Sequence, residues 1–264
     1  MGGAHNDHHG HHHGHHGHLP AGGGNHGRAF SLAVGLNLAF VVAEVIAGLQ
    51  ARSMALIADA GHNLSDVLSL LLAWGASVLA ARPAGPPSAR FTWGFKSSSI
   101  LAALANAALL WAALGAILVE TIRRFSHPAP VEGQTMIVVA AIGIVVNAAS
   151  AMLFAGGRKT DLNLRAAFLH LAADAAVSAG VVVAGVAVLL TGRGWIDPVT
   201  SLVITLVIGW GSWGLLRDGV KMGLAGVPDG IDEAAVRAVL TGQPGVAALH
   251  DLHIWPVSTT ETAL

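Results

Sequence analysis

A chain of 264 residues that is 53% hydrophobic and 11% charged, with a formal net charge of −1, differs markedly in composition from soluble domains. Its mean hydropathy of +0.62 predicts a polytopic membrane protein. The near-neutral charge gives no indication of nucleic-acid binding. The absence of cysteine excludes disulfides and thiolate metal sites.

Residues 1–28 consist mainly of glycine and histidine, cannot bury an apolar core and are predicted to form a disordered cytoplasmic arm. Nine histidines lie between positions 5 and 18. Because neutral imidazoles bind zinc, copper and nickel, the arm is a candidate weak metal site. The alternatives are a passive metal buffer and an expression tag. The candidate ligands in the arm are His8, His9, His11, His12 and His13.

Six apolar segments follow, and each is long enough to cross a hydrocarbon core of about 30 Å at about 1.5 Å per residue. Connections rich in Pro, Arg and Lys separate them, as is typical of loops. The pattern predicts an all-α transmembrane domain over residues 29–216. The predicted spans are 29–49, 54–81, 98–120, 135–156, 164–191 and 198–216.

The distribution of basic residues predicts how these spans are oriented. If both termini are cytoplasmic, ten of the 14 Lys and Arg residues fall on the inner side and four on the outer side. Because basic residues are enriched in cytoplasmic loops, this bias favours cytoplasmic termini. We therefore expect a multi-pass protein of the cell membrane, either the inner or the plasma membrane.

Two of the apolar spans carry ionisable side chains in the same arrangement. His62 and Asp66 are four residues apart in the second span, and His170 and Asp174 repeat this spacing in the fifth. Residues four apart lie on one face of a helix, one turn from each other. Ionisable groups at bilayer depth are costly and therefore indicate a functional site. In antiparallel spans both pairs reach similar depths, so we expect them to meet and hold one divalent metal ion.

Two imidazoles and two carboxylates form a donor set that zinc accepts in tetrahedral coordination. Magnesium and calcium prefer oxygen ligands, and a Cu(I) site would prefer sulfur, whereas cobalt, cadmium and nickel remain compatible. Metal binding requires neutral histidine and ionised aspartate, so protons compete with the metal for the same four groups. This competition is a mechanism for metal/proton exchange.

Other polar side chains in the spans either line a polar path or bond between helices, and for the asparagines bonding is favoured. Asp59, one turn before His62, is a candidate for orienting the imidazole or for lining the outer vestibule. Asp161 and Asp197 fall in loops near span ends and are predicted to cap helices. The remaining candidates for a path or for helix contacts are Asn37, Glu44, Asn106 and Asn147.

Residues 217–264 differ in composition from the spans and are predicted to form a cytoplasmic α+β region. Asp232–Leu240 has the pattern of a short amphipathic helix with an N-cap. Val246–Trp255 has strand character, and a second strand is predicted to begin at Glu261. The region is too short for an independent core, so we expect a truncated domain.

Several segments together resemble the cation diffusion facilitator family and its CzcD-type zinc exporters. They are ALIADAGHNLSDVLSLLLAW, RFTWGFKSSSILAALANA, TDLNLRAAFLHLAADAAVSAG, GWIDPVTSLVI and HDLHIWPVSTTETAL. The resemblance implies a six-helix homodimer that exports zinc from the cytosol in exchange for protons. It also implies a ferredoxin-like C-terminal domain, in which His250 matches a position that can bind metal. The residues that match the family's transport site are His62, Asp66, His170 and Asp174.

These observations predict a secondary transporter that exports Zn²⁺, with Cd²⁺ and Co²⁺ as further substrates. The alternative is a membrane protein that binds zinc as a buffer or sensor without transporting it. An intramembrane metalloprotease would need an acid/base group beside the metal, as in HExxH, and no such motif occurs. We therefore expect no enzymatic activity.

Overall fold

The computed structural model describes residues 25–80, 93–127, 129–156 and 162–264. Within these ranges it contains six long helices, one short helix and one small β-hairpin. The long helices are α1 (Asn25–Ala51), α2 (Met54–Ala80), α3 (Ser98–Ser126), α4 (Gly133–Ala155), α5 (Leu162–Thr191) and α6 (Ile196–Gly223). The short elements are α7 (Glu233–Thr241), β1 (Trp255–Pro256) and β2 (Thr262–Ala263).

Five of the long helices are apolar and long enough to cross a membrane: α1, α3, α4, α5 and α6. This agrees with the predicted helical membrane protein. The sixth predicted span corresponds to α2, which is helical over 27 residues but is not confirmed as a span. Its polar side chains include Asp59, His62 and Asp66.

Five of the six long helices extend beyond the predicted spans, and α3 and α6 are examples. The predicted third span ends at residue 120, whereas α3 continues to Ser126. Arg123 and Arg124 lie in this last turn, where basic side chains interact favourably with the carboxyl end of a helix. At the same end of the bundle, α6 begins at Ile196, so that Asp197 lies in its first turn and not in a loop as predicted. The predicted cap at Asp161 lies outside the described residues.

Close packing of small residues joins the helices. The most extensive contact is between α4 and α5, whereas α2 and α5 touch over a much smaller surface. Gly133 and Gly185 let the backbones of α4 and α5 approach closely, because a Cβ built on Gly133 would lie 2.8 Å from the carbonyl oxygen of Gly185. The buried apolar core includes Leu56, Met136 and Val181, which come from α2, α4 and α5.

The C-terminal region agrees only in part with the prediction. The predicted helix is present as α7, and Asp232 caps it by accepting a hydrogen bond of 2.9 Å from the N–H of Ala234. The strand predicted over Val246–Trp255 was wrong for all but its last residue, because only β1 pairs with β2. Residues 246–254 have no partner strand among the described residues that could form hydrogen bonds with their backbone N–H and C=O groups. A ferredoxin-like domain is therefore not confirmed.

Candidate metal centre

The two HxxxD pairs lie opposite each other where α2 meets α5. His62 Nε2 is 3.3 Å from Asp174 Oδ1, and His170 Nε2 is 3.2 Å from Asp66 Oδ2. Within each helix, the corresponding His–Asp separations are 3.7 Å. Each imidazole is therefore closer to the carboxylate of the other helix than to its own, so the structure brings the four side chains together, and their binding of a metal ion stays a prediction.

The separations between the histidine and aspartate donor atoms are close to those between the ligands of a single small cation. In a tetrahedral zinc site with bonds of about 2.0–2.2 Å, neighbouring ligand atoms are about 3.3–3.6 Å apart. The four His–Asp separations lie close to that range. Ligand atoms of His62, Asp66 and Asp174 all lie within 4.8 Å of one another, and His170 is not part of this group. The two imidazole rings stand edge to face at 86°, with centroids 6.0 Å apart.

Burial differs between the two sides of the cluster. The side chains of Asp174 and His62 are 5% and 18% exposed. Those of His170 and Asp66 are 37% and 31% exposed. The more exposed residues are nearest the end of the bundle where α5 begins. The cluster is therefore more exposed on that side than on the opposite side.

Beyond Asp174 and His62, a second layer of polar groups is fully buried. Asp59 Oδ2 accepts a hydrogen bond of 2.9 Å from Ser178 Oγ on α5. Glu44 Oε2 on α1 accepts one of 3.2 Å from Asn63 Nδ2 on α2. The sequence did not single out Ser178, although it lies one turn after Asp174, on the same face of α5.

Asp59 is therefore hydrogen-bonded to Ser178. Its predicted role in orienting the imidazole of His62 stays a prediction. Nδ1 of His62 has no hydrogen-bond partner among the described residues. The predicted polar path through Asn37 and Glu44 likewise stays a prediction.

The buried asparagines differ in their bonding. Asn37 donates a hydrogen bond of 3.3 Å to Ser150 and thereby joins α1 to α4. Asn106 donates to Ser69 and joins α3 to α2. Both follow the predicted bonding between helices. Asn147 does not, because neither its amide nitrogen nor its amide oxygen has a hydrogen-bond partner in the part of the chain that the structure describes.

The remaining metal-ligand candidates are not brought to the cluster. His250 is exposed in the C-terminal region and belongs to no group of three or more metal-ligating side chains among the described residues. The arm histidines His8, His9, His11, His12 and His13 lie outside the described residues. Their predicted role in weak metal binding is therefore untested.

Comparison with known families identifies the helical bundle. The family profile of the cation efflux transmembrane domain matches residues 31–222, most of the chain and all of α2 to α5. The chain belongs to the cation diffusion facilitator family. The matched segment contains both HxxxD pairs of the candidate metal centre.

Curated members of the cation diffusion facilitator family are similar over nearly the whole chain. The cation efflux system protein CzcD of Alcaligenes sp. (strain CT14) is 36% identical over 242 residues, covering 92% of this chain and 75% of that protein. The zinc transporter ZitB of Escherichia coli (strain K12) is 36% identical over 242 residues, with coverages of 91% and 76%. The cadmium, cobalt and zinc/H(+)-K(+) antiporter of Bacillus subtilis (strain 168) is 35% identical over 227 residues, with coverages of 85% and 72%.

Proposed function

We propose that this protein exports Zn²⁺ from the cytosol in exchange for H⁺. The observation that carries the proposal is the interleaving of His62 and Asp66 with His170 and Asp174, at separations that suit one tetrahedral ion. Both helices are needed to complete the donor set, so a movement of α2 relative to α5 would assemble or open the site. A site that two moving helices share can release its ion, as transport requires.

The donor set makes zinc the expected substrate. Two imidazole nitrogens and two carboxylate oxygens match zinc's tetrahedral preference, and Cd²⁺ and Co²⁺ are further substrates on the same ligand chemistry. The names of the relatives agree with this choice, since they include a zinc transporter and an antiporter for cadmium, cobalt and zinc.

Proton exchange follows from the chemistry of the same four groups. Zinc binds neutral imidazole and ionised carboxylate, so its arrival displaces protons and its release allows them to return. An inward proton gradient would thus favour zinc release on the outer side. The relative from Bacillus subtilis is named as a cadmium, cobalt and zinc/H(+)-K(+) antiporter, and this name supports the proposed coupling.

We further propose that α2 also spans the membrane, which gives six spans with both chain termini in the cytoplasm of a homodimer in the cell membrane. In this orientation α5 begins on the cytoplasmic side, so the more exposed side of the cluster, at Asp66 and His170, faces the cytosol. Cytosolic zinc then reaches the site directly. The fully buried layer at Glu44 and Asp59 separates the site from the outer side.

Zinc uptake by proteoliposomes under an imposed pH gradient tests this proposal, with the internal pH recorded at the same time. We expect uptake coupled to proton counterflow in the wild type and loss of both in Asp66→Ala and His170→Ala. His250→Ala is the matched control, because it removes an exposed histidine distant from the cluster and should leave uptake unchanged. Stoichiometric zinc binding at the four residues without any flux would instead indicate the buffer or sensor.

A further inference from the structure

The amino end of α2 is held by a carboxylate that belongs to α6. Asp197, in the first turn of α6, accepts hydrogen bonds from the hydroxyl of Ser53 at 2.6 Å and from the backbone N–H of Met54 at 2.8 Å. Its Oδ1 also lies 3.2 Å from the N–H of Ala55. Both Asp197 and Ser53 are fully buried. These hydrogen bonds therefore lie in the protein interior, away from the surface.

Together, the side chains of Ser53 and Asp197 accept hydrogen bonds from the backbone N–H groups in the first turn of α2. Ser53 occupies the N-cap position, and its Oγ accepts the N–H of Leu56 at 3.2 Å. Asp197 accepts the two preceding N–H groups, those of Met54 and Ala55. A helix otherwise leaves these N–H groups without partners, and an N-cap residue alone usually satisfies one or two of them. Here a second helix supplies the missing acceptor.

The charge of Asp197 suits this location. The amino ends of helices carry partial positive charge that stabilises a nearby carboxylate. Asp197 lies at two such ends, that of its own helix α6 and that of α2. A buried carboxylate is costly unless it is well bonded. The bonds to α2 therefore make a strong connection between α2 and α6.

The position of α2 determines the geometry of the metal centre. His62 and Asp66 follow Met54 by eight and twelve residues, or about 12 Å and 18 Å along the helix axis. Because α2 and α5 share only a small surface, the position of α2 relative to α5 depends on the contacts of α2 with α1, α3 and α6. A shift of α2 by one residue in register, which combines a translation of about 1.5 Å with a rotation of about 100°, would carry its ligands away from those on α5.

We infer that Asp197 is a positioning residue, which sets the depth and rotation of α2 so that His62 and Asp66 meet the pair on α5. This inference rests on the proposed function, because it assumes that the four residues bind the transported ion. Asp197 itself does not touch the ion. It acts through the first turn of α2, and its loss should change the coordination geometry as well as the stability of the fold.

Co²⁺ titration of the full-length purified protein tests the inference, because the visible absorption of Co²⁺ is strong in tetrahedral sites and weak in six-coordinate ones. The spectrum of a His62→Ala/His170→Ala variant gives the contribution of other histidines and is subtracted. The test variants are Asp197→Asn, which places an amide N–H against the N–H donors of α2, and Ser53→Ala. The matched control is Ser201→Ala, which removes a buried hydroxyl contact of 3.0 Å with Thr121 one turn further along α6.

We expect Asp197→Asn to lose most of the tetrahedral Co²⁺ absorption and to raise the Kd for Zn²⁺ about tenfold, as is typical when residues that orient metal ligands are changed. Ser53→Ala should change the Co²⁺ absorption and the Kd for Zn²⁺ in the same direction but by a smaller factor. If Asp197→Asn does not fold, the result for Ser53→Ala decides the test. Ser201→Ala should alter neither quantity, even if it lowers the Tm.

If both Asp197→Asn and Ser53→Ala gave the wild-type Co²⁺ spectrum, the inference would be overturned, whatever the change in Tm. The hydrogen bonds of Asp197 would then stabilise the fold without affecting the geometry of the metal centre. The inference would also be overturned if Ser201→Ala changed the Co²⁺ spectrum as strongly as Asp197→Asn and Ser53→Ala do. A wild-type spectrum identical to that of His62→Ala/His170→Ala would overturn the proposed function, and this inference with it. The two failures are therefore distinguishable.

Discussion

Replacing Gly185 by alanine tests the close packing of α4 against α5. A Cβ at this position would lie 2.9 Å from Cγ1 of Ile137, 3.1 Å from the carbonyl oxygen of Gly133 and 3.1 Å from Cβ of Met136. Two of these three neighbours are a backbone atom and a Cβ, which cannot rotate away, so the helices must separate. Overpacking of this kind typically costs about 1–3 kcal/mol.

Gly180→Ala is the matched control in the same helix, because a Cβ there meets nothing within 4 Å. Both variants gain about 0.8–1.0 kcal/mol from the higher helix propensity of alanine, so this gain cancels in the comparison. We therefore expect Gly185→Ala to be less stable than Gly180→Ala by about 1–3 kcal/mol.

Thermal unfolding of the two purified variants, followed by circular dichroism in the same detergent, measures this difference. The expected gap corresponds to roughly 2–12 °C in Tm for a protein of this size, with Gly180→Ala at or above the wild type. A Tm for Gly185→Ala equal to or higher than that for Gly180→Ala would refute the close backbone contact between α4 and α5.

Three further predictions follow from the same structure. Lowering the pH from about 8 to about 6 should weaken zinc binding, because protons increasingly occupy imidazoles whose ordinary pKa is near 6.5; a Kd that does not change with pH would contradict a histidine site. Asn147→Leu should raise the Tm without loss of zinc flux, since a buried amide without partners costs about 1–3 kcal/mol; lost flux would instead place Asn147 on the ion path. Lys96→Ala should shift the unfolding free energy by less than about 1 kcal/mol, because its ion pair with Glu261 is partly exposed; a larger loss would show that this contact secures the C-terminal hairpin to α3.

The features that the sequence predicted correctly depend on local pattern. Long apolar runs specify helices, because a membrane leaves no other partner for the backbone. The fixed spacing of the pairs at His62 and His170 places each pair on one helix face. The alternating direction of successive helices then brought the two faces to similar depths, so the meeting of the four residues could be predicted without any knowledge of helix packing.

The features that could not be predicted depend on how each helix is rotated against its neighbours. Because α4 and α5 are apolar around most of their circumference, periodicity did not reveal which face of each is buried. The hydrogen bonds from Ser178 to Asp59 and from Asn63 to Glu44 depend on the rotation of neighbouring helices and could not be predicted from periodicity. Asp197 was predicted to be a cap, but the helix that it caps is α2, far away in the sequence.

The strand predicted over Val246–Trp255 failed for a different reason. A strand is stable only when its backbone groups are paired, and in the described residues only the two-residue strands β1 and β2 pair. Asp251 also has a positive φ of 52°, which interrupts an extended conformation. Apolar alternation alone therefore overestimated the length of this strand.

The central claim is that one zinc ion is held by two residues from α2 and two from α5. Zinc-edge X-ray absorption tests it most directly. The protein used carries glutamine in place of His26 and of the nine histidines between positions 5 and 18, which removes every imidazole from the arm. We predict four nitrogen and oxygen ligands at about 2.0–2.2 Å, two of them imidazoles, and the loss of one imidazole in His170→Ala. An imidazole count that is unchanged in His170→Ala, or a six-coordinate oxygen shell, would contradict the shared site.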